Sequence, residues 1–309
     1  MRPKTRTSLV GVLTCGALIA AAVITQHDGD TGSPSRLARG PYVALGDSYT
    51  AGPGISQDSG DPAGCDRSDR NYPALVAERL DLKTADFHDM SCSGAVITDL
   101  TAPQSTDDGT NPAQLSALSG RTRLVTLGIG GNDIDFSPMI KRCVGAGALY
   151  RALGSGKYVP DDSPCEKQYV SHGTDEVRRK IDAAGEHLAD TLGEIGRRAP
   201  QARVYVVGYP EILPSRGDDC LRAMSLAPGD VAFLHEKERQ LNVMLRERAE
   251  AGGAEYVDTY TSSRGHGACA AEDTRWIEPL VPTASAAPVH PNARGERGMA
   301  DAVLKALES

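Results

Sequence analysis

Two short apolar runs constrain this chain more than any other feature, because each ends at glycines with polar side chains beside them. Val43-Ala44-Leu45-Gly46 leads into Asp47-Ser48-Tyr49-Thr50, and Leu124-Val125-Thr126-Leu127-Gly128-Ile129-Gly130 leads into Gly131-Asn132-Asp133. Brief uninterrupted apolar runs bounded by turn residues are expected of strands buried on both faces. As parallel neighbours they would bring both turns to one sheet edge, where open α/β folds bind ligands. Ser48 is thereby the first candidate nucleophile. By itself, Gly-Asp-Ser is also ordinary turn chemistry.

The rest of the chain alternates in the same way. A helix is expected over residues 72–80, with Pro73 in its first turn and Leu75, Val76 and Leu80 inward. A short strand is expected over 85–90, a loop over 107–110 and a short helix over 112–118. The glycines and prolines between Met139 and Gly173 suggest an irregular insert tied by Cys143 and Cys165, placed to form a rim or lid. Val177, Ile181, Ala184, Leu188, Leu192 and Ile195 recur at helical spacing from a cap at Thr174 to Arg198. A third strand follows at 202–208, then a loop over 211–228 and a helix capped by Asp230. A fourth strand lies at 255–258, a long loop at 261–291 and a last helix at 292–307, with Met299, Val303, Leu304 and Leu307 inward. Strands alternating with helices define an α/β fold with a parallel central sheet flanked by helices, and no second domain.

The N-terminus differs in character. Arg2, Lys4 and Arg6 precede an apolar run from Leu9 to Ile24 that contains Ala20-Ala21-Ala22, the pattern of a secretory signal peptide over residues 1–25. Left uncleaved, it would be a membrane anchor. Residues 26–39 read as a polar linker, and residues 40–309 as the folded domain. Of seven cysteines, setting aside Cys15 leaves Cys65, Cys92, Cys143, Cys165, Cys220 and Cys269. In an exported chain these imply disulfides, and sequential pairing is the simplest of many connectivities. Neither CxxC nor HxxxH spacing is present, so no metal is expected. A net charge of −8 and a pI near 5.4 argue against nucleic acid, whose phosphates need a basic face.

Among the histidines, His27 lies in the linker, and His187 and His235 sit at polar helix positions. No partner can be assigned to His88, His172 or His266. His290 stands apart: Pro288 and Pro291 flank it in a loop just before the last helix, which would hold its side chain in one place.

Four separated stretches resemble, in order and spacing, the blocks of the GDSL/SGNH hydrolases. They are Gly46-Asp47-Ser48-Tyr49, Ser93-Gly94, Gly130-Gly131-Asn132-Asp133 and His290-Pro291-Asn292. Cys65 with Arg67-Ser68 and Asn71-Tyr72-Pro73, Val207-Gly208-Tyr209-Pro210 and the three bracketed cysteine pairs resemble the secreted actinobacterial esterase, lipase and phospholipase branch. The resemblance implies a three-layer flavodoxin-like SGNH fold and a carboxylic ester hydrolase with no cofactor. It assigns Ser48 as nucleophile, His290 as general base, and the Ser48 N–H, Gly94 N–H and Asn132 side-chain amide as the oxyanion hole. Glycine lets a bare N–H approach the developing charge, and an amide donates without ionising.

One position departs from the pattern. The family usually has an Asp three residues before the histidine, and here that residue is Ala287. Losing a triad carboxylate can cost ~10⁴ in rate, so a carbonyl of Ala287 or Pro288 is expected to take its place. Asp47 and Asp133 each belong to another turn. The alternatives are a phospholipase or carbohydrate O-acetylesterase of the same fold, or a catalytically silent binding relative. The expected partner is a small-molecule or lipid ester met by a monomer, with transient contact to a lipid surface.

Overall fold

The computed structural model describes residues 40–56, 64–154, 157, 162–216 and 220–309. The expected signal peptide and linker lie outside the described residues. In chain order the elements begin with β1 (Tyr42–Gly46), α1 (Ser48–Ala51), α2 (Tyr72–Arg79), β2 (Phe87–Asp89), β3 (Gln104–Thr106), β4 (Gly109–Asn111) and β5 (Leu124–Gly128). They continue with α3 (Phe136–Ala152), β6 (Val170–Ser171), β7 (Thr174–Asp175), α4 (Glu176–Arg198), β8 (Arg203–Val207), α5 (Cys220–Met224), α6 (Pro228–Ala251), β9 (Glu255–Val257), α7 (Tyr260–Ser263) and α8 (Ala293–Leu307).

The central sheet is parallel throughout, in the order β2-β1-β5-β8-β9. Successive residues of each strand face opposite layers. Val43, Leu45, Val125, Leu127 and Val206 point into one core with α4 and α6. Tyr42, Ala44, Leu124, Tyr205 and Val207 point into the other with α2 and α8. Both faces are buried, which is why these strands read as continuous apolar runs. The register pairs Tyr42 with Leu124 and Gly46 with Gly128, so β1 and β5 end side by side and their turns open on the same edge.

The long helices follow their sequence periodicity. All six apolar positions expected on α4 are buried. On α2 and α8, Val76, Met299, Val303 and Leu307 are buried, whereas Leu75, Leu80 and Leu304 are only partly covered. Two expected caps are corrected. Asp175, not Thr174, caps α4 by accepting from Arg178 N–H. Asp230 lies inside the first turn of α6, after Pro228, and its carboxylate instead accepts from the Cys165 and Glu166 N–H groups.

The expected loop over 107–110 is the tip of the β3–β4 hairpin, and the helix expected over 112–118 is a single 3₁₀ turn, Gln114–Ala117. The largest correction concerns 139–173, which is not wholly irregular: α3 fills its first part. Of its glycines, Gly147 serves close packing. A Cβ on Gly147 would run into the Ser225 carbonyl, so this helix trades propensity for contact with the chain beyond it. Disulfides join Cys65–Cys92, Cys143–Cys165 and Cys220–Cys269, the sequential pairing.

Candidate active site

The end of β1 is held so that the next residue can face outward. Gly46 has φ +155°, and a side chain there would strike Thr50 and the Gly128 carbonyl. Its backbone is clamped by Gln114, whose Nε2 donates to the Gly46 carbonyl at 2.9 Å while Oε1 accepts from the Gly46 N–H at 2.8 Å. Asp47 caps the short α1, accepting from Tyr49 N–H at 2.9 Å. Ser48 is the first residue of that turn.

His290 arrives from the loop before α8. Its Nε2 lies 2.8 Å from Ser48 Oγ, and its Nδ1 lies 2.8 Å from the Pro288 carbonyl. With Nδ1–H donating to that carbonyl, Nε2 is left as an acceptor for the serine proton. Among the described residues no carboxylate is hydrogen-bonded at that position. Asp47 binds Tyr49 N–H and the Tyr209 hydroxyl, and Asp133 accepts from Ile97 N–H.

The loop carrying His290 owes its shape to more than prolines. Glu278 N–H donates to the His290 carbonyl and Val289 N–H to the Glu278 carbonyl, both at 3.0 Å. The Glu278 carboxylate accepts from Asn292 Nδ2, Thr283 N–H and Ala284 N–H. The Tyr49 hydroxyl donates to the Val289 carbonyl at 2.7 Å, and its ring lies 5.1 Å from the His290 imidazole. Ala287 N–H donates to the Pro53 carbonyl, tying the histidine loop to the serine loop.

The other two blocks reach the same edge. Cys92 N–H donates to the Gly46 carbonyl, so the segment leading to Gly94 runs alongside β1. Gly94 adopts φ +78°, the left-handed region open to glycine. Asn132 follows β5, and its Nδ2 donates to the Ala95 carbonyl at 2.9 Å, which fixes its amide and joins the Gly94 and Asn132 turns.

Ser48, Asn132 and His290 share a cavity of about 100 Å³ with Phe136, Ile140, Ile212, Leu241, Leu280 and Val289 among its lining residues. Its wall is mostly apolar, as an acyl chain requires. Burial lowers the His290 pKa below the usual histidine value; the Pro288 carbonyl opposes this and Lys141 adds to it. The imidazole is thus held neutral, ready to accept a proton. Burial pushes the Asp47 carboxyl up to about 7, against the hydrogen bonds it receives from Tyr209 and Tyr49.

Of the residues named from sequence, Ser48, His290 and Asn132 line one pocket, and Gly94 sits on the neighbouring turn. Gln114, Tyr49, Tyr209 and Glu278 escaped notice as site-builders, although Tyr49 and Tyr209 both stand inside recognised motifs. His235, expected on a solvated helix face, is half-buried with Nδ1 at 2.9 Å from the Leu213 carbonyl. Among the described residues no group of three or more His, Cys, Asp or Glu could hold a metal ion, and no helix is long and apolar enough to cross a membrane.

A serine–histidine pair at the carboxyl edge of a parallel sheet, opening on an apolar pocket, defines a hydrolase of the serine type. Residues 44–297 match the GDSL-like lipase/acylhydrolase family, and the chain belongs to that family as a carboxylic ester hydrolase. It is 43% identical over 270 residues to lipase 2 of Streptomyces coelicolor, covering 86% of this chain and 85% of that one. It is 31% identical over 301 residues to an esterase of Streptomyces scabiei, covering 88% and 85%. Among solved structures, a phospholipase A1 from Streptomyces albidoflavus superposes with a TM-score of 0.69 at 26% identity, covering 87% of this chain and 99% of that one. The lipase from Streptomyces rimosus gives 0.69 at 27% identity, covering 86% and 99%.

Proposed function

We propose that this protein is an exported lipase or esterase that cleaves carboxylic esters through an acyl-enzyme on Ser48. The observation that carries this reading is the continuous relay from Ser48 Oγ to His290 Nε2 and from His290 Nδ1 to the Pro288 carbonyl, each link 2.8 Å. As Ser48 Oγ attacks the ester carbonyl, its proton passes to Nε2. The Ser48 and Gly94 N–H groups and the Asn132 amide receive the developing oxyanion. The imidazolium then protonates the leaving alcohol, and the acyl group stays on Ser48. Water, deprotonated by His290, attacks the acyl carbonyl. Collapse of the second tetrahedral intermediate expels Ser48, which takes the proton back, and frees the acid.

A carbonyl dipole orients the imidazole and stabilises its cation less strongly than a carboxylate. The Tyr49 and Glu278 contacts compensate by fixing the loop that carries both partners. The apolar lining favours acyl esters of lipid type over acetylated sugars. Three disulfides suit an oxidising compartment outside the cytoplasm. Ser48→Ala is expected to abolish hydrolysis of p-nitrophenyl esters while leaving the fold intact; wild-type turnover in that variant overturns the reading. A panel of acyl chain lengths, phospholipid and acetylated xylan then ranks the substrates.

A further inference from the structure

The Tyr209 side chain stands between the turn that carries Ser48 and the turn that carries Asn132. Its hydroxyl donates to Asp47 Oδ2 and accepts from Gly131 N–H, the latter at 2.8 Å. A tyrosine hydroxyl has one proton to give and lone pairs to receive, and here the proton goes to one turn while the other turn supplies the donor. Asp47 immediately precedes Ser48, and Gly131 immediately precedes Asn132.

Tyr209 is itself fixed. Its N–H donates to Asn242 Oδ1 at 2.8 Å, and Asn242 Nδ2 donates back to its carbonyl at 3.0 Å. Its ring meets the Tyr49 ring edge-on at 5.2 Å, and Tyr49 in turn reaches the histidine loop through Val289. The residue is buried, and it belongs to the wall of the catalytic cavity.

Backbone pairing between β1 and β5 stops at the Gly46–Gly128 pair and the Asp47 N–H bond to the Gly128 carbonyl. Beyond that point Tyr209 hydrogen-bonds to both turns. We propose that Tyr209 is a positioning residue for ester hydrolysis, its hydroxyl setting the separation between the Ser48 nucleophile and the Asn132 oxyanion donor. This rests on the assignment of Ser48 and Asn132 made above. The hydroxyl is engaged with Asp47 and Gly131 and acts through them. Misplacement by about 1 Å of a group that must meet a transition state can cost ~10²-fold in rate.

The test is Tyr209→Phe, which keeps the ring and its packing. Counting active sites by fluorophosphonate titration, kcat on a p-nitrophenyl ester is expected to fall about 10- to 100-fold with KM changed by less than about threefold. Asp47→Asn is expected to lose kcat by a similar factor. The double variant should lose little more than either single one, because the two substitutions break the same link. Should the phenylalanine variant fold in low yield, Asp47→Asn alone must show the kcat loss at unchanged KM. Tyr209→Phe with kcat within about twofold of wild type, or with its whole deficit in KM or in the fraction of titratable sites, overturns the proposal. An inactive Ser48→Ala beside a fully active Tyr209→Phe removes only the role of Tyr209. An active Ser48→Ala removes the site assignment and the role together.

Discussion

His290 Nδ1 lies 2.8 Å from the carbonyl oxygen of Pro288, two residues earlier in the same loop. The acceptor is backbone, so its position is set by the loop, and the loop is pinned by Glu278 through main-chain and side-chain hydrogen bonds. In the proposed mechanism the orienting task of a triad carboxylate falls to a carbonyl held by this buttress.

The pH profile of kcat/KM follows from the surroundings of His290. The base works when neutral, and burial lowers its pKa from the ordinary histidine value. The rising limb is expected below pH ~6.5, with a plateau through neutrality. Measured kcat/KM from pH 4.5 to 8.5 checks this; a limb centred above 7 contradicts it.

Asp47 makes stability depend on pH in an identifiable direction. Its folded-state carboxyl is raised to about 7 from an ordinary 3.8. The folded protein therefore binds more protons than the unfolded chain between these values, and the contribution declines as pH rises through that window. Asp47→Asn removes this dependence. The stability of the variant relative to wild type is expected to improve by about 2–4 kcal/mol between pH 4 and pH 8, read from urea melts at each pH. A difference that stays constant with pH contradicts the assignment.

The acyl pocket should respond to size. Ile140 is buried on α3 and lines the cavity beside Phe136. Ile140→Trp is expected to lower kcat/KM for octanoyl esters at least about tenfold while acetyl esters change little, since pocket contacts discriminate by roughly 1–3 kcal/mol per methylene. Equal losses on both esters would place the acyl chain elsewhere.

The Cys65–Cys92 disulfide holds the segment that runs on to Gly94, and Ser93 N–H donates to the Cys65 carbonyl. Replacing both cysteines with alanine is expected to lower unfolding free energy by about 2–4 kcal/mol and to reduce kcat at temperatures where the fold survives. Denaturant unfolding and turnover on the same preparation measure both; unchanged kcat would separate this bridge from the oxyanion turn.

How much was legible in the sequence divides along the range of the interactions involved. The buried strands β1, β5 and β8 announced themselves because both their faces are covered, and α4 because its apolar stripe is unbroken. Ser48, Asn132 and His290 could be singled out because each occupies a short motif at an element boundary. By contrast, α3 was obscured by its glycines, of which Gly147 answers to a tertiary contact. Gln114, Tyr209 and Glu278 act through partners between 5 and 162 residues away, and no local pattern marks those pairings. The choice of Pro288 over Ala287 as the histidine's acceptor likewise waited on the loop geometry, including the left-handed Val289 between them and His290.

The most direct measurement of the central claim is covalent labelling with a fluorophosphonate followed by peptide mass mapping. One phosphonyl group is expected on Ser48, formed at a rate that drops sharply in His290→Ala and is lost in Ser48→Ala. A folded wild-type protein that stays unlabelled, or one labelled at another residue, would contradict an acyl-enzyme mechanism on Ser48.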